Sequence, residues 1–246
     1  MFTDSANSDE LYSEFLSDLP ELERKSERLD NSIATERLLR KFGKQERAVF
    51  AWEFRVGYNL YGTVFHYKRS AAKDRGFTER KWTLEFTTHV GFVRTERGTD
   101  AILFYSGAKK GIRLRPHFLK RYKERLSAAG DWKTRMALNS CRDLKSLALL
   151  FVKRNPDIVW IETSAVFGDK THIFSPVNDG VALIQWDCKK KLLKANTFVT
   201  LDMLSKEQLK MVAYATTYMS MTPDERSGTE LPLFAGCPDL LDKTED

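Results

Sequence analysis

The chain has 246 residues, of which 42% are hydrophobic and 12% are aromatic. That apolar content is enough for a folded core and excludes a chain that is disordered throughout. Forty lysines and arginines outnumber 34 aspartates and glutamates, so the formal net charge is +6.

The first part of the chain contains two predicted helices and then an ambiguous segment. Apolar residues at helical spacing predict helices over residues 11–22 and 31–43. In segment 49–67 the apolar residues alternate as they do in a strand, but they also line one face of a helix. A basic end that closes on a glycine favours the helix over residues 59–75.

From residue 82 onward the sequence predicts strands with helices between them. A hairpin is predicted with its two strands at 82–94 and 100–106, and a short strand follows at 112–115. Two helices are then predicted, one over 116–129 and one from residue 139 or 140 to before Pro156. Four further strands are predicted at 158–163, 171–174, 181–187 and 192–201. A last helix is predicted over 204–221. This order indicates an α+β fold with an antiparallel sheet packed against helices.

Several patterns exclude whole classes of protein. The longest apolar run, Leu147 to Val152, has six residues, whereas a membrane-spanning helix needs roughly 20. No basic stretch followed by an apolar one opens the chain, so we expect neither a secretory signal nor a membrane partner. Three cysteines without a CxxC pair argue against a disulfide framework and a structural zinc site. We therefore expect a soluble protein of the cytoplasm.

Sequence motifs for metals and cofactors are also missing. The chain has no HxH, HExxH or Asp-x-Asp group, and it has no GxxxxGK[ST] or GxGxxG loop. We therefore expect neither a metal ion nor a cofactor.

Charge is distributed unevenly along the chain. Residues 1–40 carry ten acids and five bases, and residues 222–246 carry seven acids and two bases, so the segment 41–221 carries +16. We interpret these parts as an acidic N-terminal helical or partly flexible segment, a single basic α+β body and an acidic C-terminal tail. A basic body predicts a nucleic-acid partner, RNA before DNA. The alternative is that Lys and Arg simply coat a soluble surface.

The predicted helix over 116–129 lies in the densest positive segment, 109–125, which holds eight Lys and Arg against one acid. With about 100° between successive helical residues, one stripe contains His117, Arg121, Glu124 and Arg125. The adjoining stripe is apolar and consists of Phe118, Leu119, Tyr122 and Leu126.

The polar stripe has the groups that phosphodiester chemistry needs. Arginine offers a permanently charged fork to phosphate oxygens, and a histidine can take or give a proton at neutral pH. Glu124 could orient the imidazole or act as a base itself. The alternative is an ordinary outer helix face, on which these groups are solvated or paired with one another.

The string His117-x-x-x-Arg121-x-x-Glu124-Arg125, followed by several strands, resembles the small bacterial domains written HxxxRxxER. These domains are grouped with the RelE-like and barnase-like toxin ribonucleases, and the match spans roughly residues 112–201. The resemblance implies a RelE/barnase-like core at about 112–221, with an N-terminal helical and hairpin extension. It also implies metal-independent cleavage of RNA and an antitoxin protein as a partner.

The resemblance assigns roles to individual residues. His117 would be the acid or base, Arg121 and Arg125 the phosphate clamp, and Thr197 a polar partner from the sheet. Independently of the resemblance, His172 on a predicted strand could supply a second acid or base, although a structural role is the alternative. The cations expected to contact nucleic acid are Lys109, Lys110, Arg113, Arg115, Lys120 and Arg125.

Two other functions remain open at this point. The same basic surface would serve a non-catalytic nucleic-acid-binding protein, for example an accessory protein of a mobile element. Alternatively, the aromatic-rich segment 49–67 forms an oligomer interface in a protein that has no nucleic-acid role.

Overall fold

The computed structural model describes residues 6–43, 45–71, 80–105, 111–156, 170–187 and 189–220. The helices are α1 (Ser8–Asp30), α2 (Ile33–Lys41), α3 (Pro116–Ala129), α4 (Trp132–Ser140), α5 (Leu144–Arg154) and α6 (Lys206–Ser220), with a 3₁₀ turn at Leu201–Met203. The strands are β1 (Arg47–Val56), β2 (Asn59–Ala71), β3 (Arg80–Thr95), β4 (Gly98–Tyr105), β5 (Gly111–Leu114), β6 (Lys170–Val177), β7 (Gly180–Asp187) and β8 (Leu192–Val199).

The eight strands pair into one sheet in the order β1-β2-β3-β4-β5-β8-β7-β6. Neighbouring strands are antiparallel except β5 and β8, which are parallel. Parallel neighbours need a long crossover connection, and here the chain passes through α3, α4, α5 and the β6–β7 hairpin before β8 returns beside β5. The predicted α+β fold class, with helices on a mostly antiparallel sheet, is confirmed.

Helices cover both faces of this sheet. Alternate residues of β4 show the division, because Ala101 and Leu103 belong to the core under α3 and α5, whereas Ile102 and Phe104 belong to the core under α1. The α1 helix packs its Phe15 ring parallel to that of Phe104, with 3.7 Å between the ring centroids. The α2 helix closes a third cluster, in which Leu39 packs with residues of β1 and β2.

The segment that begins at residue 59 is a strand, so the predicted helix over 59–75 is wrong where the structure describes it. β1 and β2 form a hairpin whose turn contains Gly57 with a φ of +54°, a conformation that glycine adopts without strain. Residues 61–67 of β2 are all buried, because helices lie on both faces. A strand that is buried on both faces loses the alternation that identifies it in a sequence.

Helix α5 begins later than predicted, after its N-cap Asp143, and the separate helix α4 precedes it. The predicted strand at 158–163 and the acidic tail at 222–246 lie outside the described residues. Every helix in the described ranges is too short or too polar to cross a lipid bilayer.

Candidate nucleic-acid interface

Helix α3 carries the predicted polar stripe, and its apolar side is buried as expected. Pro116 occupies the first helical turn, where its missing N–H costs no hydrogen bond. The Tyr122 ring packs edge-on against Phe151 of α5 and Phe198 of β8, with centroid separations of 4.9 and 5.0 Å. The four residues of the predicted apolar stripe, Phe118, Leu119, Tyr122 and Leu126, are all buried.

The opposite side of α3 faces solvent. His117, Arg121 and Glu124 are exposed, and Arg125 is half-buried. These four residues lie on the same side of α3, and the charges of Arg121, Arg125 and Glu124 all act on His117. The structure therefore places an imidazole, two guanidiniums and a carboxylate on one helix flank.

The pKa of His117 is lowered from its ordinary value. Partial burial of the ring is the largest cause, since burial disfavours the charged imidazolium, and the positive charge of Arg121 is the next. The Glu124 carboxylate acts in the opposite direction. The environment therefore favours the uncharged form of the imidazole, which is the form that can accept a proton.

The two arginines of the stripe have different surroundings. Arg121 Nη1 lies 3.2 Å from Glu124 Oε2. The two residues are spaced by one helical turn and are both exposed, so this ion pair adds little stability. Arg125 donates from Nη1 to the main-chain carbonyl of Phe198, so its guanidinium is anchored to β8. Burial also lowers the pKa of Arg125. Arg121 is thus the more available guanidinium for an external phosphate.

Arg113 does not join this surface, which corrects the expectation that it contacts nucleic acid. On β5 it donates from Nε to the Asp100 carboxylate of β4, and the two side chains are 13% and 4% exposed. No local sequence pattern indicates this pair, because Asp100 lies on another strand. Arg115 and Lys120 are exposed as expected, whereas Lys109 and Lys110 lie outside the described residues.

Thr197 is not brought to His117 either. It pairs with Leu183, whereas Ile184 pairs with Ala195, so Asn196 is an extra residue that forms a bulge in β8. The bulge reverses the alternation of β8, with Phe198 turned toward α3 and Thr197 toward the opposite face. The Thr197 hydroxyl is buried without a hydrogen-bond partner among the described residues. The role implied for Thr197 as a partner of His117 is therefore contradicted.

His172 lies on β6, the edge strand of the sheet, where it pairs with Gln185 of β7. Strand β7 separates it from β8, the strand that Arg125 contacts. The structure therefore gives His172 a backbone position at the sheet edge, away from the strand beneath α3.

Helix α4 adds two features that the sequence analysis missed. Trp132 and Met136 lie one helical turn apart and are each 61% exposed, and Lys133 Nζ lies 5.8 Å from the Trp132 ring centroid. The available signal was Asp131 as an N-cap, followed by an apolar pair at i and i+4 between cations. We use the term basic helical surface for the exposed residues Arg115, His117, Lys120, Arg121, Trp132, Lys133 and Arg135.

The acids near this surface have other uses. Residues 115–145 contain nine Lys and Arg but three acids. Asp131 and Asp143 are N-caps whose carboxylates accept from the Thr134 and Ser146 amides at 2.7 and 2.8 Å. The third acid, Glu124, pairs with Arg121. Most of the cations are therefore not neutralised locally.

Within the described part of the chain, no group of three His, Cys, Asp or Glu side chains could hold a metal ion. Comparison of the chain with protein-family models, with curated proteins and with solved structures finds no match.

Proposed function

We propose that this protein binds RNA through its basic helical surface. The observation that carries the proposal is the charge of residues 115–145, which contain nine Lys and Arg but only three acids. Two of these three acids accept hydrogen bonds as helix N-caps. Clustered, solvated cations attract a polyanion because binding releases the counterions condensed on its phosphates.

The exposed tryptophan of this surface favours a single strand over a duplex. The Trp132 side chain is exposed and lies next to the Lys133 ammonium group. Unpaired bases stack on exposed aromatic rings while neighbouring cations bind the phosphates. In a duplex the faces of the bases are already stacked on one another. An RNA loop or an unpaired segment is therefore the ligand that suits this surface best.

Metal-independent cleavage of the bound RNA is the second candidate function, and the observation that favours it is the exposed imidazole of His117 one helical turn from the exposed guanidinium of Arg121. His117 would accept the proton of a 2′-hydroxyl as that oxygen attacks the adjacent phosphorus, and would return it to the departing 5′-oxygen. Arg121 would offset the charge that develops on the phosphate. The resemblance to the HxxxRxxER domains supports the same assignment.

Binding and cleavage are tested with the same labelled single-stranded RNA in EDTA. We expect binding that weakens as salt is added, and we expect His117→Ala to abolish cleavage while it largely spares binding. Arg121→Ala should weaken both. Cleavage by His117→Ala at the wild-type rate would refute the catalytic role.

Two further results decide between the alternatives. Binding without cleavage by the wild type would leave a non-catalytic nucleic-acid-binding protein. No binding of RNA or DNA even at low salt would refute the proposed function and favour a protein-interaction role.

A further inference from the structure

A second candidate site lies on the other side of the sheet from the basic helical surface. A cleft of about 770 Å³ opens where the α1–α2 turn and α2 lie over β2 and β3. The floor contains two cross-strand pairs, Tyr67 with Leu84 and Arg69 with Trp82. Leu39, Arg40 and Asp30 contribute to the walls. The size lies within the range of sites for small organic ligands.

Arg69 is the unusual residue of this cleft. Its guanidinium carbon lies 5.6 Å from the centroid of the Trp82 ring, and Nη1 donates to the Gly43 carbonyl. Its Nε is buried and has no hydrogen-bond partner among the described residues. Within that same part of the chain, no carboxylate forms an ion pair with Arg69. A half-buried cation is costly unless an anion compensates it.

The other charged groups of the cleft are engaged differently. Asp30 accepts a hydrogen bond from the Tyr67 hydroxyl, which ties the end of α1 to β2. Arg40 pairs with Glu36, but both side chains are largely exposed, at 75% and 60%. Such a surface pair contributes little, so Arg40 can exchange Glu36 for another anion at small cost.

These features indicate the charge and shape of a ligand. Two guanidiniums, one without an ion pair among the described residues and one weakly paired, suit a dianionic phosphate better than a singly charged carboxylate. Leu39 and Leu84 supply apolar wall for a base or another ring. We propose that this cleft binds a phosphate ester of nucleotide size, with its phosphate on Arg69. This inference does not depend on RNA binding at the basic helical surface.

The test uses the full chain with AMP, inorganic phosphate and phenylalanine as separate probes. The indole N–H signal of Trp82, assigned with Trp82→Phe, reports binding by NMR. We expect AMP to shift this signal to saturation and to bind more tightly than phosphate or phenylalanine. Arg69→Gln should weaken AMP binding by about tenfold or more, because a charge-assisted contact is lost.

Two other variants make the result specific. Arg69→Lys keeps the charge but loses the planar fork, so its AMP affinity should lie between those of wild type and Arg69→Gln. Arg37→Gln removes an exposed charge of α2 outside the cleft and should leave AMP binding unchanged. If Arg69→Gln does not fold, the proposal is tested by the AMP affinity of Arg69→Lys, which should be lower than that of wild type.

Three results would overturn the proposal. The first is that AMP leaves the Trp82 signal unchanged at millimolar concentration. The second is that AMP binds equally well when Arg69 is replaced by Lys or Gln. The third is that inorganic phosphate or phenylalanine binds as tightly as AMP, which would show that a nucleotide-sized ester is not the ligand.

Discussion

The two helical layers use their charges in opposite ways. Residues 6–43, which form α1 and α2, carry nine acids and six bases, whereas residues 115–145 carry nine bases and three acids. On α1 the carboxylates attach the helix to the sheet, since Asp18 accepts from Asn59 at 2.7 Å and from Tyr61 at 2.8 Å. The cations of α3 and α4 mostly point into solvent. A carboxylate therefore attaches α1 to the sheet, whereas the exposed cations of α3 and α4 are available to a polyanion.

The second layer has its own polar attachment, and the sheet supplies its carboxylate. Asp179, in the turn between β6 and β7, accepts from Arg154 Nη2 at 2.6 Å, from the Tyr122 hydroxyl at 2.7 Å and from Asn155 at 3.0 Å. One buried carboxylate thus joins α3, the end of α5 and the turn. Helix α3 is therefore attached to the sheet without the use of the exposed cations of the basic helical surface.

The largest effect is expected from Asp179→Ala. It leaves Arg154 half-buried without its anion and Tyr122 without its acceptor, so the free energy of unfolding should fall by about 3 kcal/mol. Urea denaturation measures it. Asp143→Ala, which removes an exposed N-cap, is the control and should cost about 1 kcal/mol. Equal losses for the two variants would contradict the role of Asp179.

The same residue predicts a pH dependence. Burial alone would raise the pKa of Asp179, but hydrogen bonds from Arg154 and Tyr122 outweigh it and lower the pKa. Its contribution to stability is therefore complete above the unfolded value of about 3.9 and is lost as the pH falls through the lower folded value. Asp179→Ala should lose less stability than wild type between pH 5 and 2, by urea denaturation at each pH.

A pair of triple variants compares the layers directly. Neutralising Lys120, Arg121 and Arg135 together as Gln should weaken RNA binding by about tenfold or more. It should also reduce the slope of log affinity against log salt by about 2. Neutralising Arg24, Arg28 and Arg37 on α1 and α2 removes the same charge and should change neither. Similar losses in both triples, measured by fluorescence anisotropy, would mean that only net charge matters.

A smaller effect is expected at the attachment of α1. Asp18→Ala removes the hydrogen bonds to Asn59 and Tyr61 and should cost about 1–2 kcal/mol of unfolding free energy, with RNA affinity unchanged. Glu27→Ala removes the same charge from an exposed site of α1 and should stay within about 0.5 kcal/mol of wild type. A loss of RNA affinity in Asp18→Ala would show that the layers are not independent.

The smallest effect concerns the titration of His117. Because Arg121 lowers the pKa of His117 and Glu124 raises it, Arg121→Gln should raise that pKa and Glu124→Gln should lower it. Bound RNA should raise it, since phosphate stabilises the imidazolium. NMR of the imidazole C–H signals follows all three changes. Shifts of the same sign in both variants would refute the proposed electrostatics of the stripe.

Local patterns predicted α3 well. The division of α3 into a buried and an exposed stripe depends on helical geometry and on residues within four positions of one another, such as Phe118 and Tyr122. Both the helix over 116–129 and its buried side are confirmed. The helix predicted over 59–75 is wrong over its described part, 59–71, because both faces of β2 are covered, which is a consequence of the assembled sheet.

The surroundings of the candidate site depend on contacts between residues that are far apart in the sequence, and no local pattern predicts such contacts. The bulge at Asn196, which turns Thr197 away from α3, depends on how β8 pairs with β7. The Asp100–Arg113 pair and the Asp179 cluster likewise join residues of different elements. The sequence therefore predicts which side chains α3 exposes and buries, but not which residues of the sheet lie beside them.

The parallel pairing of β5 with β8 has a consequence for synthesis of the chain. Gly111 pairs with Leu192, so the middle of the sheet joins segments 81 residues apart. Until the ribosome has released β8, the edge of β5 remains open, and an open edge can pair with other chains. Nascent or truncated chains that stop before Leu192 should therefore aggregate and depend on chaperones, whereas chains that include β8 close this edge themselves.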